Sequence, residues 1–505
     1  VARGMARRMR EEWCGVARAA VQSNCLRIRK QRRGLRLIGK RHTIVCALDI
    51  RKREASMKFA IVKSLWLAAI AFLISTLGTS ARAGVIVVDS SGGGQFTNLQ
   101  MAVSSASNGD TLLVRVGGYS SFTVDGKSLS IVADAGTSVT VFGSIVVQNL
   151  AADQSVVLAG LKVTGATTTA LSDTPGVALY ATANDGPLRV HGCQLTGAVG
   201  YGDHYFNNEG ACCQPVNHAA GWAGAFLTQN HAGVAFVGCT IVGGRAANAS
   251  LACYSCGLGE PGGDGVYVFG TRVALYDCAL VGGRGGDAAG TAGWGGAGCN
   301  VQTTNTACGV FASGTSFTGG VGGDGNDDIQ AFGGHGGDGL AVLYPALAQL
   351  LDCTTVGGHG GHNCGTGSQY AQDGYGTSGN STPFVFTGTH LAFSAPSPMR
   401  ESTATPVTFT GQPGEHVYLR MADETGFRPI ASSKGVMLTH SAATHLAVYA
   451  ADFGVIPASG VLNTTLQFSD VASARSYCLQ AFSIDSDGHS KLGSFASIVV
   501  LDSSY

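Results

Sequence analysis

The chain has 505 residues, 13% of them charged and 45% hydrophobic, with 75 glycines and 15 cysteines. Its 32 basic and 32 acidic side chains cancel only on average: residues 1–83 hold 19 basic and 4 acidic, the remainder 13 and 28, a net charge of −15. This excludes a disordered polyelectrolyte and a coiled coil, and the lack of a strict Gly-x-y period excludes a collagen.

In chain order, residues 1–56 form a basic extension with 16 Lys/Arg, read either as a nucleic-acid tail or as an over-extended start ahead of Met57. The second reading is preferred, because a complete secretory pattern follows at 57–83. Met57-Lys58 and Lys63 are basic, Leu65 to Ile74 is apolar, and Ala81-Arg82-Ala83 is a small-residue cleavage signal. The apolar run falls short of the ~20 residues of a spanning helix. The expectation is an exported chain, secreted, extracellular or on the cell surface (or periplasmic), with no membrane span after cleavage and a mature start near Gly84.

Val85 to Val88 then reads as a strand, and Phe96 to Ala106 as a short amphipathic helix with Phe96, Leu99, Ala102, Val103 and Ala106 on one face. Strand-like runs follow at 111–116, 122–132, 139–150 and 155–163. From 176 the runs become a repeat. An apolar run leads, coil after coil, to Cys193, Cys239, Cys278, Ser316 (in a shortened copy) and Cys353, and most copies continue into Gly-Gly-x inserts. Units of short strands cannot bury an apolar face alone; stacked, they share one core. An all-β parallel β-helix (solenoid) over 84–392 is therefore expected, capped at its N-terminal end by the lone helix. Beyond the Ser394-Ala395-Pro396-Ser397-Pro398 linker, alternating runs with frequent turns predict a small β-sandwich at 399–505. No aromatic platform is evident in that module.

The opening Gly94-Gln95-Phe96-Thr97-Asn98-Leu99-Gln100-Met101-Ala102-Val103, then Asn108-Gly109-Asp110-Thr111-Leu112-Leu113-Val114 and Gly117-Gly118-Tyr119, resembles that of pectin-lyase-like right-handed parallel β-helix proteins, pectin methylesterases among them. The resemblance covers roughly 85–390. It implies a right-handed coil and specifies no activity, since enzymes and non-enzymes share that opening.

Several constellations bear on chemistry. Cys193, Cys239, Cys278 and Cys353 are expected to point inward as small hydrophobes. Cys212, Cys213, Cys253, Cys256, Cys299, Cys308 and Cys364 fall in the inserts and suit disulfides in an exported chain. Zinc held by His204, Cys212, Cys213 and His218, or by Cys253 and Cys256, is the rival reading. Three Gly-Gly-x-Gly-x-Asp stretches offer calcium ligands at Asp287, Asp324, Asp327 and Asp338; solvated acidic loop tips are the alternative.

Asp277 and Asp352 both precede a repeat cysteine, so both should point outward on one face about two rungs apart, as an inverting glycosidase pair would. Arg284, three residues from Asp287, is the candidate base for a lyase. Against an enzyme, Asp327-Asp328 and Gly334-His335-Gly336 lie too close for the polygalacturonase pattern, no Arg-x-Lys follows, and Gly117-Gly118-Tyr119-Ser120-Ser121 lacks the methylesterase Glu. The acidic body disfavours nucleic acid or a polyanion. The expectation is a non-catalytic surface or extracellular protein with a structural, adhesive or glycan-binding role, its partner a polysaccharide or cell-surface component. A polysaccharide lyase or glycoside hydrolase is the alternative, with Asp277, Asp352 and Arg284 as its candidate catalytic groups.

Overall fold

The computed structural model describes residues 84–505 except 167–175, 202–219, 249–257, 289, 304–307, 326–330, 365–368, 423, 430–432, 441–448, 472 and 485–489. The basic extension, the export signal, His204, Cys212, Cys213, His218, Cys253, Cys256 and Asp327 lie outside the described residues.

The body is a parallel β-helix with three walls. The first wall stacks ten parallel strands from Val85–Val88 to Phe384–Phe386. The second runs from Leu161–Thr164 through Gln194–Thr196, Thr240–Val242, Ala279–Val281 and Ser316–Thr318 to Thr354–Val356, and the third from Leu179–Asn184 through Ala225–Asn230, Val266–Phe269, Cys299–Gln302 and Leu340–Val342 to Thr377–Ser378. The ten-residue strand Val139–Gln148 serves both: residues 139–142 pair with the second wall and 145–148 with the third, and the chain bends between them at Gly143, whose φ is +106°. Alternate side chains enter one core: Leu195, Ile241, Leu280 and Phe317 from the second wall, Leu227, Val268, Val301 and Val342 from the third. The helix is Leu99–Ser105, three residues shorter at its start than the amphipathic pattern suggests. Asn98 caps it, its Oδ1 accepting from the Met101 N–H at 3.1 Å. Leu99, Ala102 and Val103 close the first coils by joining the same core.

Several coil corners turn through a left-handed residue, most of them followed by an inward polar one. Between third and first walls, Asn149, Ala183, Gln229 and Gly270 have φ of 53–57°. Asn184 and Asn230 follow two of them, joined to each other at 2.7 Å, and Asn230 continues to Thr271. Between first and second walls stand Gly160, Gly192, Gly238, Asp277, Gly314 and Asp352, all at φ between 53° and 70°. The inward residue after the last five is Cys193, Cys239, Cys278, Thr315 and Cys353, each donating to the carbonyl two residues back at 3.2–3.5 Å. In the shortened coil the position therefore belongs to Thr315, not Ser316; Ser316 pairs with Ala279 and Thr354 one place further on. Cys299 also departs from expectation. It opens a third-wall strand, wholly buried between Val266 and Leu340, rather than sitting in an insert.

The described stretches of the inserts pair with one another. Residues 282–287 and 292–298 run antiparallel, Gly296 N–H donating to Gly283 O and Gly293 N–H to Gly286 O. Sideways bonds recur every third residue, from Gly282 to Thr318 O and Gly285 to Val321 O, the three-residue turn of a polyproline-II rod. Rods of successive coils thus form two layers, one outgoing and one returning. Glycine is required because the chains nearly touch: a Cβ on Gly320 would lie 1.9 Å from the Gly283 oxygen.

The described residues of 391–505 build a three-stranded antiparallel sheet, a mixed six-stranded sheet and a two-stranded ribbon, with a core of Phe393, Phe409, Val417, Leu479 and Ile498. Strand Ser490–Leu501 lies against the outer face of the first wall: Val499 and Leu501 meet Leu113, Val132 and Ala159, and Phe495 meets Tyr276 and Phe311. The first-wall strands beneath it are consequently buried on both faces, and include unbroken apolar runs such as Val234-Ala235-Phe236-Val237. Among the described residues no helix is long and apolar enough to cross a membrane.

Candidate functional site

Asp277 and Asp352 occupy the left-handed corner position held by glycine in other coils, with the coil of Gly314 between them. Both point outward, and His390 bridges them. Its Nδ1 lies 2.7 Å from Asp352 Oδ2 and its Nε2 3.3 Å from Asp277 Oδ1. A Cβ on Gly314 would strike the imidazole at 2.6 Å, so only glycine leaves room. Asp352 Oδ2 also accepts from the His390 backbone N–H at 3.0 Å, and Ser494 Oγ donates to Asp277. The Asp277 carboxylate, with Asp352 beyond it, lifts the imidazole pKa to about 8, and His390 in turn holds the Asp352 carboxyl below its usual range. With both ring nitrogens bound to carboxylates, the cluster ties the 387–391 segment to the coil corner.

Asp287 and Asp324 lie on the outgoing rods, with the Arg284 guanidinium between them at 2.5 and 2.7 Å. Each also accepts a backbone N–H from the next rod: Asp287 from Asp324 and Asp324 from His362, both at 2.8 Å. Asp338 is on the other layer, accepting from the Tyr375 N–H at 2.8 Å and from Ser378 Oγ. The fold thus brings Asp287 together with Asp324, and separately Asp277 with Asp352. It does not bring Asp338 to either pair. Among the described residues, no group of three or more His, Cys, Asp or Glu side chains is placed to hold a metal ion.

The third wall carries what the sequence did not disclose. Tyr180, Phe226 and Tyr267 occupy one outward position on successive strands, their ring centroids 5.6 and 4.7 Å apart. The returning rods that lead into the later third-wall strands Cys299–Gln302 and Thr377–Ser378 carry exposed aromatics of their own: Trp294, 60% exposed, with His335 edge-on at 5.4 Å, and Tyr375, 58% exposed. Polar groups interleave. Asp264, three residues before Tyr267, accepts from the Ala297 N–H at 2.8 Å and from Asn300 Nδ2 at 3.0 Å. Burial raises its pKa to about 6. A second ring stack, His416–Tyr418–Phe482, lies on the C-terminal module with centroids 4.8 and 5.0 Å apart. The sequence hides it because pairing across strands, not spacing along the chain, joins Tyr418 to Phe482. The third-wall ladder had a partial signal: Phe226 and Tyr267 each stand two residues after a repeat glycine, whereas Tyr180 stands four after Gly176.

Fold and surface together define a parallel β-helix protein with an aromatic-lined outer wall. No protein-family model matches the chain, and no curated protein matches it. Among solved structures it is similar to pectate lyase Pel9A, at 11% identity over 61% of this chain and 79% of that one, TM-score 0.27. It is also similar to the receptor-binding protein of bacteriophage Det7, a tailspike, at 10% identity over 85% and 100%, TM-score 0.15. A third similarity, to a superoxide reductase (neelaredoxin) from Ignicoccus hospitalis, has 15% identity over 22% and 81%, TM-score 0.15.

Proposed function

We propose that the chain is an exported, non-catalytic β-helix protein that binds a glycan along its third wall and the returning glycine rods. The observation that carries this is the ring ladder of Tyr180, Phe226 and Tyr267 on three successive third-wall strands, with Trp294 and Tyr375 exposed on the returning rods. Exposed aromatic surface interleaved with hydrogen-bonding groups is a mark of a binding face. Stacked coils repeat that surface at the ~4.8 Å rung spacing, which suits an extended polymer. The net charge of −15 beyond residue 83 favours a neutral glycan over a polyanion.

The alternative, a lyase or hydrolase, gains one supporting feature: Asp264, a carboxyl with a raised pKa beside the ladder, has the character of a general acid. Incubation with a polysaccharide panel separates the two. Retention of a neutral polymer, weakened at least tenfold by Trp294→Ala or Tyr267→Ala and without new reducing or unsaturated ends, supports the binder. Release of such ends, abolished by Asp264→Asn, supports the enzyme. No retention of any polymer refutes the binder.

A further inference from the structure

A cleft of about 660 Å³ opens between the outer face of the first wall and the C-terminal module, remote from the aromatic face. Its volume is that of an ordinary small-ligand site. Both modules build it. Ser130 comes from the β-helix and Ser476 from the module, their hydroxyls 2.9 Å apart. Arg189 forms part of the wall, 1% exposed, with its guanidinium resting on the Phe495 ring at 5.6 Å. Its Nη groups donate to the carbonyls of Leu188 at 3.0 Å, Gly233 at 3.4 Å and Gly426 at 3.1 Å, yet among the described residues its Nε has no partner. Ser497 Oγ, lining the same cleft, is also buried without a partner. Arg475 adds a second cation at the cleft, stacked on Tyr477 at 5.1 Å. The acidic group lining it is Asp153, which is exposed.

A buried cation left partly unpaired is costly, and so is a buried hydroxyl without a partner. Here both border a ligand-sized space ringed by hydroxyls. We propose that this cleft binds a small polyhydroxylated carboxylate, whose negative charge balances Arg189 and Arg475 while its hydroxyls bond the serines. The requirement for both features follows from the lining: the two guanidinium groups select an anion, and the serine hydroxyls with the Gln154 amide select a polyol.

Calorimetric titration of the full chain with gluconate, sorbitol and acetate tests it. Gluconate is expected to bind at least tenfold more tightly than either sorbitol, which lacks the charge, or acetate, which lacks the hydroxyls. Arg189→Met keeps the buried stem and removes the charge; it is expected to weaken gluconate at least tenfold. Ser155→Trp, at an exposed lining position away from the buried contacts, is expected to weaken it as much by filling the space, and carries the test should the arginine variant fold poorly. Trp294→Ala, on the aromatic face, should leave gluconate unaffected. Equal affinities for the three probes, no gluconate binding at about 10 mM, tenfold above the 1 mM Kd of a weak site, or binding untouched by both cleft variants would overturn the proposal.

Discussion

His390 is the group through which pH should act on this fold. Its imidazole sits between Asp277 and Asp352, with Lys491 contributing to the same field and itself paired to Glu415 at 2.6 Å. The folded pKa of about 8 lies above the ordinary 6.5. A raised pKa means the charged form is favoured by folding, so the stabilisation is complete below about 6.5 and disappears as pH climbs through 8. The difference corresponds to about 2 kcal/mol, and to about 1 kcal/mol once partial solvent screening is allowed for. The lower edge comes from Asp352, whose depressed pKa gives stability that is lost only on strong acidification. Thermal unfolding of the native chain and of His390→Gln, followed from pH 5.5 to 9, should show the native chain ahead by about 1–3 °C near pH 6 and the gap shrinking above pH 8. Asp277→Gly suits the φ of +54° and removes one carboxylate; it should move the imidazole titration, read from its ring C–H resonances, down toward 6.5. A native His390 that titrates below 7, or a melting difference flat across that range, would refute the reasoning.

Two further outcomes are expected. Asp264 has a raised pKa, so its ionised form opposes folding: the stabilisation it gives at low pH is lost as pH rises through about 6. Asp264→Asn should therefore raise the melting temperature at pH 8, by an amount equivalent to about 1–2 kcal/mol, and change little at pH 4; a variant less stable at pH 8 would contradict the burial argument. In the glycine rods, Gly320→Ala forces a methyl to 1.9 Å from the Gly283 carbonyl and should cost about 2–4 kcal/mol, with lost amide protection in the neighbouring rods. Val321→Ala, one residue on and 42% exposed, should leave both readouts unchanged.

Much of the β-helix was written in the sequence because a solenoid stacks each unit on the next, so a structural contact recurs as a sequence period. Cys193, Cys239, Cys278 and Cys353 were legible as an inward column, and the helix at Leu99–Ser105 as its cap. The register slipped only at the shortened coil, where Thr315 and Ser316 are adjacent hydroxyls and the missing cysteine removed the marker. Three features needed the tertiary structure. Gly-Gly-x carries no hydrophobic period, so the order of the rods comes wholly from bonds to neighbouring rods. The double burial of the first wall depends on strand Ser490–Leu501, far away in the chain. The partner of Asp277 and Asp352 lies 113 and 38 residues downstream in a segment with no motif, and only the folding back of the C-terminal module brings His390 to them. What the residues alone determined is the repeating coil, whose contacts are near neighbours; what tertiary structure decided is which faces are covered, because that depends on segments whose separation along the chain no local pattern records.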